Sequence, residues 1–192
     1  MKDRCYYDFF MDPIEKKFLK KLRKKLLSKA QGKILEIGSG TGINFELYEN
    51  HDVVAIEPNE KLRAESLKKI GNKKIKVVSG DAENLEFKEN EFDTVVVMLV
   101  LCTIPDYKRS LLEIRRVCKL GGKILVLEHV KHKNKILGVI QDILTPLWKK
   151  IAMGCHLNRM TIDIIEDIGF EITKKEYHIG NNFVILEIIN KK

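Results

Sequence analysis

The stretch Ile34-Leu35-Glu36-Ile37-Gly38-Ser39-Gly40-Thr41-Gly42 indicates how this chain folds. A short apolar run that leads into three glycines spaced two apart, followed by a helical pattern, predicts a strand, a tight loop and a helix. Glycine accepts φ > 0 and lets a ligand approach the backbone, and the start of the next helix offers free N–H groups. We therefore expect a nucleotide-type ligand on this loop.

The alternation of strand and helix continues along the chain. Short runs rich in Ile, Leu and Val alternate with helical stretches, which predicts an α/β fold with a mostly parallel sheet. The link between the last two runs is too short for a parallel crossover, so we expect them to pair antiparallel. The predicted strands are 33–37, 53–57, 75–79, 94–99, 123–128, 170–177 and 183–189.

The predicted helices are 13–30, 44–48, 60–70, 108–118 and 161–168, the last with Thr161 as its cap. The segment 130–160 is longer than an ordinary connection, and we expect it to lie over the ligand-binding edge of the sheet. We predict a single domain over 1–192, with 1–31 as an N-terminal helical cap and 130–160 as an insertion near the substrate site.

Composition sets limits on function. The 192 residues suffice for one domain. No apolar run approaches the roughly 20 residues that span a bilayer, and the N-terminus lacks the apolar segment of a secretory signal, so we expect a cytoplasmic protein. The four cysteines form no Cys-x-x-Cys pair, which favours reduced thiols. The net charge of +8 comes from lysines along the whole chain, and no RNA-binding motif accompanies it, so nucleic acid is not an expected partner.

Three features narrow the ligand of the Gly loop. Ile43 stands where the dinucleotide fingerprint Gly-x-Gly-x-x-Gly has its third glycine. Glu57 ends the next strand, where a carboxylate can accept from both ribose hydroxyls. Asp81 follows the third strand, where it can accept from an adenine amino group. A P-loop is excluded because no Gly-Lys-Ser/Thr is present.

The sequence resembles the class I S-adenosylmethionine (SAM)-dependent methyltransferases over nearly its whole length. The matching motifs, in order, are the quoted Gly-loop stretch, Ala55-Ile56-Glu57-Pro58, Gly80-Asp81-Ala82-Glu83, Phe92-Asp93-Thr94-Val95 and Val117-Cys118-Lys119-Leu120-Gly121-Gly122. The resemblance implies a Rossmann-like, doubly wound seven-stranded sheet, SAM as cofactor and S-adenosylhomocysteine as product. The cofactor-binding residues it implies are Glu36, Gly38, Ser39, Gly40, Glu57, Pro58, Asp81, Ala82 and Leu99.

The methyl acceptor is indicated by other stretches. Leu99-Val100-Leu101-Cys102, Glu128-His129-Val130, Pro146-Leu147-Trp148 and Gly154-Cys155-His156-Leu157-Asn158-Arg159 resemble the methyltransferase-like thiol S-methyltransferases. The start, Tyr6-Tyr7-Asp8 with Asp12-Pro13-Ile14-Glu15, is instead similar to quinone and phospholipid methyltransferases. We expect a small or lipophilic acceptor, a thiol first. A SAM- or nucleotide-binding regulatory protein without turnover is the alternative from a different class.

His129 is the candidate catalytic base, because imidazole has a suitable pKa for deprotonating a thiol. It could instead orient Glu128 or bind a loop carbonyl. Cys102, Cys155 and His156 could form a soft-metal or arsenite site. Their separation in sequence favours buried, inert thiols, so no metal is predicted. Arg159 could contact an anionic acceptor or form a surface ion pair.

The predicted N-terminal helix is basic and amphipathic. Ile14, Phe18, Leu22 and Leu26 lie on one face, and Arg23 lies with the lysines on the other. Such a helix can lie on an anionic membrane as a peripheral contact. We prefer the alternative in which its apolar face covers the fold and its basic face is solvated.

Overall fold

A computed structural model of the protein describes residues 18–191. Its strands lie within two residues of the predicted ones, except that the fifth begins at Cys118, five residues earlier than predicted and inside the predicted helix 108–118. The strands are β1 (Lys33–Ile37), β2 (Asp52–Ile56), β3 (Ile75–Val78), β4 (Phe92–Met98), β5 (Cys118–His129), β6 (Glu171–His178) and β7 (Phe183–Ile189). The helices in this part of the chain are α1 (Lys20–Leu27), α2 (Glu60–Leu67), α3 (Tyr107–Val117), α4 (Lys135–Ile151) and α5 (Thr161–Asp167). A short 3₁₀ turn covers Phe45–Leu47.

The strands form one sheet in the order β3-β2-β1-β4-β5-β7-β6. Strands β1 to β5 are parallel, and β7 pairs antiparallel with both β5 and β6. The predicted seven-stranded, mostly parallel sheet with an antiparallel C-terminal pair is confirmed. The strand order changes direction between β1 and β4, and open α/β sheets bind ligands at the carboxyl ends of strands beside such a point.

Helices cover both faces of the sheet, as the doubly wound prediction requires. Successive residues of a strand point to opposite faces, so Ile34 and Leu35 enter different cores. Leu111 of α3 packs into the core that contains Leu35, and Leu26 of α1 packs into the one that contains Ile34. The central strands are therefore buried on both sides, which explains their nearly continuous apolar sequence.

Helix α1 is the described part of the predicted helix 13–30; residues 13–17, like the tyrosine-rich start, lie outside the described chain. Leu26 and Leu27 are buried against the sheet. Lys20 and Lys25 form ion pairs with Glu46 and Glu176, at 2.8 and 2.5 Å. The apolar face of this helix thus covers the fold, and two of its lysines contact acidic side chains of the domain.

The segment 130–160 is mostly helical, which the sequence did not predict. Its helix α4 has 17 residues with Pro146 inside. A second correction concerns Thr161, which is the first residue of α5 and makes no capping hydrogen bond; the preceding Met160 occupies the cap position. Among residues 18–191, no helix combines the length and apolar character needed to cross a bilayer.

Candidate active site

A cavity of about 690 Å³ lies at the carboxyl ends of β1, β2 and β4. That volume is in the range of small-molecule sites. The lining includes all the residues that the resemblance assigns to the cofactor: Glu36, Gly38, Ser39, Gly40, Glu57, Pro58, Asp81, Ala82 and Leu99. The structure thus brings the predicted cofactor residues together, although their individual roles remain predictions.

The Gly loop has a backbone that other residues could not easily adopt. Gly38 and Gly40 have φ of 65° and 54°. A Cβ on Gly38 would collide with Cγ2 of Val100, whereas a Cβ on Gly40 would have nothing within 4 Å. The N–H of Ser39 donates to the carbonyl of Ile56 at 3.0 Å, which fixes the loop to β2. The loop therefore offers bare backbone to the open space above Gly40.

Glu57 holds the Gly loop in place as well as lining the cavity. Its Oε2 accepts from the N–H of Gly40 at 2.8 Å, and its Oε1 accepts from the N–H of Asn59 at 2.9 Å. A carboxylate oxygen can accept more than one hydrogen bond. Glu57 can therefore keep the loop closed and still accept from the hydroxyls of a ribose.

Glu36 has an unused acceptor atom beside the loop. The side chain is buried, and its Oε1 accepts from Nδ2 of Asn44 at 2.8 Å. Burial raises the pKa of Glu36, while the side chains of Asn44 and Tyr48 oppose that rise. Its Oε2 has no partner among the described residues. Because a buried acceptor without a donor is costly, this atom fits the amino group of a bound amino-acid moiety.

Arg23 lines the same cavity, contrary to the prediction that it belongs to a solvated basic face. It is buried, and its Nη1 donates to Oδ1 of Asn44 at 3.0 Å. Helical periodicity could not show this, because Arg23 contacts Asn44, which lies 21 residues further along the chain. Arg23 and Asn44 are additional lining residues that the sequence reasoning missed.

At the other end of the predicted cofactor site, Asp81 and Ala82 follow β3. Oδ1 of Asp81 accepts from the N–H of Glu83 at 2.9 Å, a contact that stabilises the local turn. Asp81 is exposed and Ala82 is buried, and both line the cavity. Asp81 thus has a structural role in this turn, and its contact with an adenine amino group stays a prediction.

Glu128 organises the loop that follows β4. This side chain is fully buried, and its Oε1 accepts from the N–H groups of Val100 and Leu101 at 2.6 and 2.8 Å. Burial raises the pKa of Glu128 to about 7, with opposing contributions from His129 and the two backbone donors. Leu99, at the start of the loop, has φ of 56° and lines the cavity. A buried carboxylate therefore sets the course of the chain from Leu99 to Cys102.

His129 lies behind the cavity and not in its lining. Its Nε2 is 2.8 Å from Sγ of Cys155, a residue that does line the cavity. Burial alone would lower the pKa of His129, but the contact with Cys155 and the charge of Glu128 raise it overall. His129 would therefore act on an acceptor through the sulfur of Cys155 and not by direct contact. The role of His129 as the base stays a prediction.

Cys102 and Cys155 also meet at the cavity, but their histidine partner is His129 and not the predicted His156. The ligand atoms of Cys102, His129 and Cys155 all lie within 4.8 Å of one another. A hydrogen bond from the Cys102 thiol, together with His129, lowers the pKa of Cys155. The same contact raises the pKa of Cys102. His156 instead has its N–H on the carbonyl of Cys102, at 3.0 Å.

Arg159 is buried and does not form the surface ion pair considered above. Its guanidinium stacks on the ring of Tyr107, 4.2 Å from the centroid, and is close enough to Cys102 and Cys155 to interact with their charges. Trp148 packs against the apolar cluster of Cys102, Ala152 and Cys155, so it joins α4 to the domain.

The sheet order, the Gly loop and the acidic residue that ends β2 define a class I SAM-dependent methyltransferase. A family model for the methyltransferase domain matches residues 35–126. Thiol S-methyltransferase TMT1B of Rattus norvegicus is 30% identical over 174 residues, covering 87% of this chain and 71% of the relative. Human thiol S-methyltransferase TMT1A is 30% identical over 178 residues, covering 89% and 73%. The chain belongs to the methyltransferase family that includes these proteins.

The chain is also similar to methyltransferases outside the thiol S-methyltransferases. Phosphatidylethanolamine N-methyltransferase of Cereibacter sphaeroides is 27% identical over 140 residues, 68% of either chain. The solved structure of a SAM-dependent methyltransferase from Thermotoga maritima has a TM-score of 0.72 at 20% identity, covering 98% of this chain and 97% of that one. These comparisons identify SAM as the cofactor, and the free Oε2 of Glu36 and the open space above Gly40 fit it.

Proposed function

We propose that this enzyme transfers the methyl group of SAM to the sulfur of a small, apolar thiol. The observation that carries the proposal is the uneven lining of the cavity. Charged side chains come from α1 and from the ends of β1, β2 and β3, whereas the loop after β4 and the segment after α4 contribute mainly apolar side chains and two thiols. The apolar residues on that side include Leu99, Ile104, Ala152 and Met153.

Of the possible acceptors, a thiol needs the least help from such a lining to lose its proton. SAM supplies a methyl group on a positively charged sulfonium, and the acceptor must arrive without its proton. A thiol has a free pKa of about 8.5, so the nearby charge of Arg159 can favour the thiolate. An amine would be protonated at neutral pH and would require a base beside it. Leu99 and Ile104 would exclude water from the reacting atoms.

The relatives support this choice. Two mammalian relatives at 30% identity are named thiol S-methyltransferases, and the alignment includes about nine-tenths of this chain. The acceptor side of the cavity also contains Cys102 and Cys155, from two of the stretches in which the sequence resembles that group.

The test is methyl transfer from radiolabelled SAM to a panel of short alkyl thiols, phosphatidylethanolamine vesicles and a quinol. We expect label in the thioether products and little in the lipid or quinol. Transfer to phosphatidylethanolamine or the quinol, with none to any thiol, would refute the proposal. Binding of SAM without transfer to any acceptor would instead favour a regulatory, non-catalytic protein.

A lipophilic acceptor is the second candidate, and the surface of α4 favours it. This helix leads into the cavity-lining residues Ala152 and Met153, and it exposes a series of large apolar side chains: Ile136, Leu137, Val139, Ile140, Ile143, Leu144 and Leu147. Such a face near an active site suits an enzyme that takes its substrate from a lipid surface. The phospholipid and quinol arms of the assay decide between the two acceptors.

For location, we propose a cytoplasmic enzyme that touches anionic membranes through this α4 face. Exposed lysines stand at both ends of the helix: Lys133 just before it, Lys135 as its first residue, and Lys149 and Lys150 within its last turn. An apolar face between basic ends complements an anionic bilayer. The basic helix of the sequence prediction would add to this attraction.

Sedimentation with anionic vesicles at low salt tests the membrane contact. The double variant Ile143→Ser, Leu147→Ser should lose most of the binding, because both side chains are exposed on the α4 face. Leu120→Ser, which removes an equally exposed leucine from β5, is the matched control and should still bind. Equal binding by all three proteins, or none by the wild type, would contradict the proposed contact.

A further inference from the structure

We propose that Cys102, His129 and Cys155 form a binding site for one zinc ion, with an open coordination position toward the SAM cavity that takes the acceptor thiol. The position of the acceptor rests on the proposed function; the metal site does not. Three side chains of soft-ligand type converge here from three separate parts of the chain. Thiolate sulfur and imidazole nitrogen are the ligands that zinc prefers.

The distances fit a tetrahedral site. With Zn–S of about 2.3 Å and Zn–N of about 2.0 Å, neighbouring ligand atoms in a tetrahedron stand roughly 3.4–3.8 Å apart. The three ligand atoms lie within 4.8 Å of one another, and Nε2 of His129 is 2.8 Å from Sγ of Cys155. Small side-chain rotations would open the shorter contact to the distance that a tetrahedral site needs.

The backbone around the three residues is already tied together. The N–H of His156, next to Cys155, donates to the carbonyl of Cys102 at 3.0 Å. Glu128 holds the loop before Cys102 through its bonds to Val100 and Leu101. The His129 ring packs edge-on against Phe183, with centroids 6.3 Å apart. The ligands are thus positioned by contacts outside the cluster, as in other metal sites.

Three protein ligands leave one position free, which is the arrangement of catalytic and not of structural zinc sites. Cys102 and Cys155 line the SAM cavity, whereas His129 lies behind it, so the free position is on the cavity side. The charges of the zinc ion and of the groups around it also balance. Two cysteine thiolates neutralise the ion, and the positive charge of Arg159 offsets a third, incoming thiolate.

The chemistry that follows is a simple displacement. The acceptor thiol loses its proton to solvent when its sulfur binds zinc. The sulfur then forms a bond to the methyl carbon, and the bond from that carbon to the sulfonium sulfur breaks, leaving its electron pair on S-adenosylhomocysteine. The product thioether is neutral and a weaker ligand than a thiolate, so it can leave. In this scheme His129 is a metal ligand and not the base.

Metal binding is tested on the full-length protein, purified without chelators under reducing conditions. We expect one zinc per chain by elemental analysis. After exchange for Co²⁺ we expect the thiolate-to-cobalt charge-transfer absorption. Cys102→Ser, Cys155→Ser and His129→Ala should each weaken metal binding by more than about 100-fold, since even outer-shell changes cost 10- to 100-fold. Cys118→Ser is the matched control, because Cys118 is buried at the start of β5 outside the cluster.

Absence of metal from the wild type after titration with Zn²⁺ or Co²⁺ would overturn the proposal. So would unchanged binding in Cys155→Ser, or an equal loss in Cys118→Ser; circular dichroism of each variant separates misfolding from ligand loss. A Cys102–Cys155 disulfide in the reduced preparation would count against it as well.

Activity then separates the two proposals. Chelated enzyme that still methylates thiols at the full rate refutes the proposed role of zinc in the reaction and leaves the thiol activity standing. Enzyme that holds zinc through the three residues but methylates no thiol refutes the proposed acceptor and leaves the site standing. A change in the cobalt spectrum on addition of a short alkyl thiol supports both.

Discussion

Glu57→Gln is the change that tests most directly how the cofactor half of the cavity works. The carboxylate accepts from the N–H of Gly40 with one oxygen and from the N–H of Asn59 with the other. Glutamine has a single oxygen, so one of these donors must face an NH₂ group. The variant also loses the negative charge that would strengthen hydrogen bonds from ribose hydroxyls.

The magnitude follows from the kind of bond that is lost. A hydrogen bond to a charged group contributes about 1.5–3 kcal/mol. Lost from the loop of the free protein, that energy lowers the melting temperature by about 3–12 °C for a chain of this size. Lost from the bound ribose, it weakens SAM binding by about 10- to 150-fold.

Two measurements separate these effects. Thermal unfolding without ligand reports the loop bonds, and calorimetry with SAM and S-adenosylhomocysteine reports the ribose bonds. Glu60→Gln is the control, because that residue is exposed at the start of α2 and lies outside the cavity lining. It should bind SAM as the wild type does.

A double-mutant cycle completes the argument. A 2′-deoxy analogue of S-adenosylhomocysteine should bind the wild type more weakly, and Glu57→Gln should discriminate against it much less. The reasoning is refuted if Glu57→Gln binds SAM within about twofold of the wild type, or if the two proteins discriminate equally against the analogue.

Three further predictions follow from single contacts. Gly38→Ala should abolish SAM binding and lower the melting temperature, because its Cβ meets Val100. Gly40→Ala has open space around its Cβ but keeps a φ of 54° that alanine rarely adopts, so it should lower the melting temperature less; calorimetry and thermal unfolding compare the two. Glu128→Ala should raise KM for the acceptor while leaving SAM affinity unchanged, and Glu128→Gln, which keeps an acceptor for both backbone N–H groups, should restore much of the loss in steady-state kinetics. Hydrogen bonds from Lys25 and Lys174 lower the pKa of Glu176 from 4.5 to about 2, so the stability it provides is present above about pH 4.5 and is lost as the pH falls toward 2. Thermal unfolding should therefore show Glu176→Gln less stable than the wild type at pH 6, with the difference shrinking near pH 2.

The cofactor half of the site was predictable because its residues follow the ends of consecutive strands. Glu36, Glu57 and Asp81 are each placed by a parallel strand whose apolar run is visible in the sequence, and parallel strands deliver their carboxyl ends to one edge. The loop between Gly38 and Gly42 has no other stable backbone than the one its glycines permit. Local sequence therefore determines this half almost by itself.

The acceptor half could not be derived in the same way. Cys102, His129 and Cys155 are brought together by tertiary contacts, and nothing in the spacing of the sequence distinguishes His129 from His156 as the partner of the two sulfurs. The helix α4 was missed because Pro146 interrupts its pattern and its exposed side is apolar, which is the reverse of the usual surface helix. Arg23 was misplaced because it contacts Asn44, which is distant in the sequence.

The end of β5 connects the cofactor half of the site to the acceptor half. The carbonyl of Leu127 accepts from the N–H of Leu99, a predicted cofactor-binding residue, at 2.7 Å. The side chain of Glu128 holds the following loop, and the side chain of His129 contacts Cys155 in the segment after α4. Three consecutive residues of one strand thus fix both the boundary of the cofactor and the walls of the acceptor site. Substitutions at this strand end and in the segment 130–160 can change which acceptor the enzyme binds without disturbing β1 and β2. This explains how relatives named for thiol and for phospholipid methylation can share one SAM-binding fold.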